Sequence, residues 1–405
     1  MNTLLTVDMI TRETARVLVN NLAFAKGCNR EYDDQFAKDG AKIGYTCNVR
    51  MPDRAVVHKG QALVLDNAQE SKVPVALDTQ AHTDFQFSAS DLLLSIDDFS
   101  KRFIQPRAAA LANTIDVDGL ALYKDVFNYV GAPGTVPTAL LTYLTAGVRL
   151  DEQACPQDML RSMVVTSWMQ ANIVDQLKGL FHAGPELAEQ YRKGRMGRAA
   201  GFEWDMDQNC PTHTTGALGG APQINAANQS GASIITDTWT SAAATRLLKG
   251  DVVQFAGCYA VNPQSRVSTG TLANWVVTAD TASDGSGNMT IPISPSMVVS
   301  GPFQNCSGSP ADNALVTAYG HASTYTSKVS PVGLAYHRDA FTLAMADLPL
   351  PKGVDMAGRV QSKELGVSFT LVRQFDISTY NYPCRVDGLY GWKTLRAEMA
   401  CRVQA

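Results

Sequence analysis

Apolar and polar residues alternate with a period of two in two stretches near the start of the chain. The first run comprises Ile43, Tyr45, Cys47, Val49 and Met51, and the second comprises Val73, Val75, Leu77 and Thr79, followed by Phe85 and Phe87. Such alternation is typical of strands with one buried face. The two runs flank a polar segment, so they predict a long two-stranded arm over residues 41–90. An isolated hairpin is marginally stable in water, and this arm is therefore expected to lie on a partner surface.

A helical repeat predicts a long helix between Ser95, a candidate N-cap, and Gly131, near which the pattern stops; Pro106 either kinks this helix or starts a new one. Its apolar positions are Phe99, Phe103, Leu111, Ile115, Leu122, Val126 and Val130. Asp116 and Asp118 would be surface carboxylates on this helix. Shorter helices are predicted for residues 6–21, 137–150 and 167–179, and within the segment GLAYHRDAFTLAMADLPLP at residues 333–351.

The second half of the chain reads mainly as strands and loops. Buried strands are predicted at residues 163–166 and near 200–206, and residues 212–233 have the composition of a linker. Residues 234–300 hold several strands separated by turns such as Lys249-Gly250-Asp251, which predicts a small β-domain. Loose segments on both sides indicate that this domain is inserted into an α/β chain. The strands from Gly366 onward are expected to complete one sheet that begins near the long helix.

Composition narrows the function classes. The chain has 405 residues, which suggests two or three domains. Charged residues make up 18%, below the roughly 25% usual in soluble domains. This suits either a protein that covers its surface with copies of itself or a weakly charged soluble protein. The net charge of -4 argues against a dedicated nucleic-acid binder, and no signal peptide or membrane span is expected.

No motif predicts a catalytic, cofactor or metal site. His337-Arg338-Asp339 imitates a kinase triplet, but the other kinase motifs are missing. The 8 cysteines form no CxxC pair, which argues against zinc and favours reduced, buried thiols. Asp280, Asp284 and Asn288 fit a hairpin turn better than a cation site. An enzyme of unrecognised type stays open only as the least favoured alternative.

Four segments, read in order, carry a family resemblance. They are QYRKGRMGRAAGFEW, LLKGDVVQFAGCYAV, GLAYHRDAFTLAMADLP and CRVDGLYGWKTLRAEMA. With the order arm, long helix, mixed domain, β-domain and closing strands, they resemble the major capsid (coat) proteins of tailed double-stranded-DNA bacteriophages. More narrowly, the chain is similar to the short-tailed-phage coat protein family with an inserted β-barrel domain.

The resemblance implies an α+β class and the Hong Kong phage capsid fold. Its expected parts are the N-terminal helix and arm (1–40), the extended loop (41–90), the peripheral domain with the spine helix (91–132), the axial domain (133–211), the inserted β-domain (212–311), the axial return (312–350) and the peripheral closing strands (351–405). One departure from the family pattern is that residues 234–245 carry a single charge, Asp237. The charged loop by which family members latch their neighbours is therefore expected to be missing.

The implied function is a non-enzymatic shell subunit of the virion, assembled in the host bacterial cytoplasm. The implied partners are other copies in hexamers and pentamers, a scaffolding protein, a portal protein, a possible decoration protein and enclosed double-stranded DNA, with no membrane and no cofactor. We expect Arg50, Arg54, Lys59 and Lys72 to be assembly contacts. The alternative for these cations is solvated charge, worth about 0–1 kcal/mol per pair. A tail or decoration subunit of a phage is the alternative function.

Overall fold

The computed structural model describes residues 22–30, 46–54, 57–61, 71–88, 105–176, 197–362 and 367–405. Within them, many strands combine with few helices, which confirms the α+β class. The predicted helix at residues 6–21 and the predicted cap at Ser95 lie outside the described residues. None of the described helices is long and apolar enough to cross a bilayer.

Besides short 3₁₀ turns, the described elements are three α-helices and twenty-four strands. The helices are α1 (Gln105–Leu120), α2 (Leu140–Glu152) and α3 (Ser167–Gln176). The strands of the first half are β1 (Thr46–Met51), β2 (Ser71–Ala76), β3 (Thr79–Ser88), β4 (Tyr129–Gly131), β5 (Arg161–Val165), β6 (Gly197–Ala199), β7 (Phe202–Met206), β8 (Thr212–Thr214), β9 (Gly220–Ile224), β10 (Gly231–Trp239), β11 (Ala244–Leu247) and β12 (Val252–Phe255). Those of the second half are β13 (Tyr259–Val261), β14 (Ser268–Leu272), β15 (Trp275–Val277), β16 (Thr281–Ser283), β17 (Met289–Met297), β18 (Val316–Ala318), β19 (Val329–His337), β20 (Phe341–Ala346), β21 (Met356–Ser362), β22 (Val367–Arg373), β23 (Asn381–Thr394) and β24 (Ala400–Gln404).

The chain divides into two compact units. The first comprises Met1–Arg50, Lys72–Gly119 and Phe341–Leu395, and the second comprises Met51–Ser71, Leu120–Ala340 and Arg396–Ala405. In the first unit, β20, β23, β22 and β21 form an antiparallel sheet, and β3 pairs with β23 along its other side. Helix α1 packs its apolar residues Leu111 and Ile115 on this sheet, against Leu343, Phe369 and Val386.

The arm prediction is right for β1 and β2 but wrong for β3. Strands β1 and β2 form a two-stranded sheet, whereas β3 pairs with β23 from Thr79 to Ser88. The alternation of apolar residues identifies all three strands, but it contains no information on which strand each one pairs with. Buried Val49, Val75 and Leu77 hold the base of the arm on Ala344. Ala76 approaches Gly391 so closely that a Cβ at Gly391 would meet the Ala76 carbonyl oxygen at 1.8 Å.

The long helix is shorter than predicted. Helix α1 ends at Leu120, and a 3₁₀ turn follows at Ala121–Asp125. Val130 fits the helical repeat but lies in β4, which pairs in parallel with β24. Tertiary strand pairing overrides the local period here. A Cβ at Gly119 would lie 2.7 Å from the Trp392 ring, so this glycine allows the end of α1 to pack tightly on β23.

The second unit contains two large sheets. One has the order β4-β24-β19-β5-β7-β6, with β8 added to β19. Helices α2 and α3 pack on one of its faces, where Tyr143 meets Trp204 at 5.7 Å between ring centroids and Met169 lies beside Gly333. The predicted helix at 137–150 and the strands at 163–166 and 200–206 correspond to α2, β5 and β7 and are confirmed. The predicted helix at 167–179 is confirmed as α3 up to Gln176, and its last three residues lie outside the described part of the chain.

The other large sheet has the order β18-β12-β15-β17-β10-β9. The two strands at the ends of this order, β9 and β18, also lie side by side. Ile224 at the end of β9 donates its backbone N–H to the carbonyl of Ala314, just before β18, and its own carbonyl accepts the N–H of Asn313, both at 2.9 Å. Trp275, Phe255 and Ile291 lie in the apolar core that the strands enclose. Residues 234–300 are therefore strand-rich, as predicted.

Three further predictions, two of element type and one of strand pairing, are wrong. The segment 333–351 is not a helix but the strands β19 and β20, joined by a 3₁₀ turn at Arg338–Ala340. An unbroken apolar run fits a buried strand as well as a helix, and β19 and β20 are buried over nearly their whole length. Residues 212–233 are not a linker, since they contain β8, β9 and the start of β10, with His213 and Ile224 buried. The last strand, β24, does not join β22 and β23 but pairs with β19 and β4.

Candidate assembly surface and buried polar network

The four cations predicted from the arm lie in different environments. Arg50 is exposed at the end of β1, Lys72 is exposed at the start of β2, and Lys59 is exposed beyond β1. None of these three forms an ion pair with another described residue. They are therefore available to a neighbouring molecule, which remains a prediction.

Arg54 is different because its acidic partner lies in its own chain. Its Nη2 donates a hydrogen bond to Glu398 Oε1 at 2.8 Å, and its guanidinium lies 5.7 Å from the centroid of the Phe303 ring. About a third of the side chain is exposed. The pair borders a groove of about 430 Å³ whose walls include Met51, Val57 and Met399. We call this region the arm-base groove.

A second group of polar residues, which sequence reasoning missed, is buried in the same unit. Asp251 accepts backbone N–H groups from Gly216 (3.0 Å) and Leu248 (2.8 Å), and its other oxygen lies 2.9 Å from His213 Nε2. The other ring nitrogen of His213 lies 3.1 Å from the Tyr123 hydroxyl. Neutral imidazole satisfies both contacts when Nε2 donates to Asp251 and Nδ1 accepts from Tyr123.

Arg402 completes this buried polar network. It is fully buried, and it donates from Nε to the Val126 carbonyl and from Nη1 to the Gly250 carbonyl, both at 2.6 Å. Its guanidinium lies 5.5 Å from the centroid of the Tyr123 ring. Burial lowers the pKa of Arg402, and burial together with the Asp251 charge raises that of Tyr123. The network thus joins four segments that are far apart in sequence.

In the first unit, Asp116 is likewise a buried polar residue whose partners lie in a remote segment of the chain. The prediction that it is a surface carboxylate is wrong. It is fully buried and accepts the backbone N–H groups of Ala23 (2.7 Å), Phe24 (3.2 Å) and Ala25 (3.1 Å). Asp118 accepts the Tyr390 hydroxyl at 2.6 Å. An aspartate on a predicted helix gives no sequence signal for burial, because its partners are backbone groups of a remote segment.

The cysteines and acidic turns show no arrangement for catalysis or metal binding in the described part of the chain. All eight cysteines lie in the described residues and none of them forms a disulfide, and burial raises the pKa of the Cys258, Cys384 and Cys401 thiols to about 12. Such thiols are poor nucleophiles. Asp284 accepts the backbone N–H of Asn288 at 2.8 Å within a tight turn, as predicted. No cluster of three or more potential metal ligands is found among the described residues.

The comparison with solved structures returns phage capsids and related shells. A Mycobacterium phage Che8 chain is 13% identical, with 94% of this chain and 90% of that chain covered and a TM-score of 0.46. The head of Helicobacter pylori bacteriophage KHP40 gives 10% identity, coverages of 96% and 90% and a TM-score of 0.45. The capsid of cyanophage P-SCSP1u gives 11%, 89%, 83% and 0.42. Similarities with TM-scores this low are not evidence of function.

The comparison with curated proteins finds no match. The comparison with family models finds one that extends over most of the sequence. The model described as "P22 coat protein - gene protein 5" matches residues 61–403, from the polar segment after β1 to within two residues of the C-terminus. The chain therefore belongs to the P22 coat protein family.

Proposed function

We propose that this protein is the major capsid subunit of a phage head. The observation that carries the proposal is the family match over residues 61–403. The subunit would assemble as hexamers and pentamers into an icosahedral shell that encloses double-stranded DNA. Assembly would take place on a scaffolding protein in the host cytoplasm, with a portal at one vertex and expansion of the shell during DNA packaging. The role is structural rather than enzymatic.

The two compact units support a domain assignment within this proposal. The first unit, with α1 and the β20–β23 sheet, is assigned as the peripheral domain with its spine helix. Within the second unit, the β4–β6 sheet with α2 and α3 is assigned as the axial domain, and the strands β9–β18 as the inserted β-domain. Residues 341–350 move to the peripheral domain because β20 pairs with β23.

The missing charged latch is part of the same proposal. Residues 234–239 belong to β10, which pairs with both β17 and β9, so little chain is left there to form a projecting loop. The shell would therefore need another brace, such as the arm, a tail contact or a decoration protein. A density map with charged contacts of the inserted domain across the two-fold axes would contradict this part.

Particle formation tests the main proposal. The chain is co-expressed with a candidate scaffolding protein, and the lysate is analysed by sucrose-gradient sedimentation and negative-stain microscopy. Closed shells of uniform size are the expected result. A small, monodisperse oligomer under all conditions would contradict the proposal and favour a tail or decoration subunit.

A further inference from the structure

One nitrogen of the buried polar network has a hydrogen-bonding capacity that the surrounding protein does not use. Arg402 Nη2 carries two N–H groups and is buried, yet it makes no hydrogen bond with any described residue. The Nε and Nη1 atoms of the same guanidinium donate to the carbonyls of Val126 and Gly250. Because a guanidinium is planar, these two hydrogen bonds also fix the position of Nη2. A donor of a charged group is thus held in the interior without an acceptor among the described residues.

The hydroxyl of Tyr319 is in the same situation. This side chain is 3% exposed, and its Oη forms no hydrogen bond with a described residue. The backbone N–H of Tyr319 donates to the carbonyl of Val252 at 3.0 Å, and Val252 lies two residues after Gly250, whose carbonyl accepts from Arg402. The short segment from Gly250 to Val252 therefore brings both side chains into one part of the core.

The electrostatic coupling of the two groups shows that they are close. Burial raises the pKa of Tyr319 far above its usual value, and Arg402 is the charged group that opposes this shift most strongly. Burial lowers the pKa of Arg402, and Tyr319 is the strongest of the titratable groups that counteract this shift, ahead of Tyr123. The Tyr123 ring centroid lies 5.5 Å from the guanidinium. The Tyr319 hydroxyl and the guanidinium therefore lie near each other without forming a direct hydrogen bond.

The charges in this part of the core favour a neutral ligand over an anion. Asp251 is a fully buried carboxylate, and His213 beside it makes both of its contacts as a neutral ring. The charges of Arg402 and Asp251 therefore balance, and an added anion would leave a net charge in the interior, which is costly. A water molecule accepts two hydrogen bonds and adds no charge. Buried waters typically satisfy polar groups that protein atoms leave without partners.

We propose that one water molecule is bound in the interior of the second unit and bridges Arg402 Nη2 and the Tyr319 hydroxyl. The water accepts a hydrogen bond from each of these donors. Tyr319 follows β18 in the six-stranded sheet, and Arg402 lies in β24 of the other large sheet, so the water connects the two large sheets of this unit. The site belongs to a single subunit, and its test does not depend on the formation of shells.

The first test is the sign of the stability change in Tyr319→Phe, measured by urea denaturation of the unassembled full-length chain. Removal of a hydroxyl that is bonded to a bound water should lower the folding equilibrium constant by at least about threefold. Removal of a buried hydroxyl without any partner should instead leave the constant unchanged or raise it. Tyr143→Phe calibrates the loss, because the buried Tyr143 hydroxyl donates directly to the Pro137 carbonyl at 3.2 Å. A smaller loss or a gain in Tyr319→Phe would overturn the proposal.

The second test locates and identifies the bound molecule. A crystal structure of the full-length chain, at a resolution that shows ordered waters, should contain one peak within about 3.2 Å of both Arg402 Nη2 and Tyr319 Oη. Crystals grown with bromide in place of chloride distinguish a water from a halide, and we expect no anomalous signal at this peak. An anomalous signal would identify an anion and overturn the assignment to water. Absence of the peak would overturn the site itself.

Discussion

The arm-base groove and the buried polar network hold the same C-terminal segment by opposite means. At the groove, Glu398 meets Arg54 in one partly exposed ion pair. In the network, Arg402 is fully buried and donates to two carbonyls, and Asp251 is fully buried with three partners. An exposed pair contributes about 0–1 kcal/mol. A buried group costs several kcal/mol when its partner is removed.

The difference separates two tasks that one segment can serve. The network fixes residues 400–405 where β24 pairs with β19 and β4, so it belongs to the fold of the single subunit. The ion pair of the groove lies at the surface, where solvent competes for both partners. Replacing one partner with a charged group of a neighbouring subunit therefore costs little free energy. We therefore expect changes in the network to affect folding, and changes at the groove to affect assembly more than folding.

Among the substitutions, the largest expected effect is that of Arg402→Met. The substitution removes the donors to the Val126 and Gly250 carbonyls, and each buried acceptor left without a partner costs roughly 1–3 kcal/mol. We expect a loss of about 3–5 kcal/mol in the free energy of unfolding, measured by urea denaturation of unassembled subunits. Arg402→Lys, which keeps the charge but not the planar geometry, should recover only part of it. A variant within about 1 kcal/mol of the wild type would show that the network is not essential for folding.

The contrast also explains what sequence reasoning could reach. Arg54 follows Pro52 at the end of an alternating run, and its polar, turn-like context agrees with the partly exposed position that it has in the structure. Arg402 sits in the apolar stretch Met399–Val403, where an arginine gives no signal of full burial, because its partners are carbonyls more than a hundred residues away in sequence. The sequence period identifies β1, β2 and β3 as strands, and it supports the pairing of β1 with β2, but it does not show that β3 pairs with β23. In β19 and β20 the unbroken apolar run does not distinguish a buried strand from a helix.

Alkaline pH should weaken the interior of the second unit. Burial raises the pKa of Cys401 to about 12 from 9.0 and that of Tyr129 to about 12 from 10.0. Between the unfolded and folded values only the unfolded chain releases these protons, so stability falls as pH rises from about 9 to 12, by about 1.4 kcal/mol per pH unit and group. Urea midpoints across this range measure the slope. Tyr129→Phe should flatten it above about pH 10, and an unchanged slope would contradict the assignment to Tyr129.

A smaller effect is expected for Tyr123→Phe. The change removes the hydroxyl that His213 Nδ1 contacts at 3.1 Å and keeps the ring beside Arg402. A buried ring nitrogen without a partner should cost about 1–3 kcal/mol in the free energy of unfolding. Tyr259→Phe, at a 42% exposed position, is the matched control and should change stability by less than about 0.5 kcal/mol. Equal effects in both variants would show that the contact of the Tyr123 hydroxyl with His213 does not contribute to the free energy of unfolding.

The smallest effect on folding is expected at Arg54, and it sharpens the comparison most. A double-mutant cycle of Arg54→Ala and Glu398→Ala should give a coupling of about 0.2–1 kcal/mol in unassembled subunits, and salt should reduce it because both side chains are partly exposed. The position of Arg54 beside the arm predicts that it also contacts a neighbour. Arg54→Ala should then lower shell yield by more than the loss of the Arg54–Glu398 pair explains. Glu398→Ala, which removes the same pair, should cause no such additional loss. Equal yields for the two single variants would confine Arg54 to its own chain. A coupling above about 2 kcal/mol would show that the surface pair stabilises the fold as strongly as the buried network does. That result would contradict the assignment of the groove to assembly and of the network to folding.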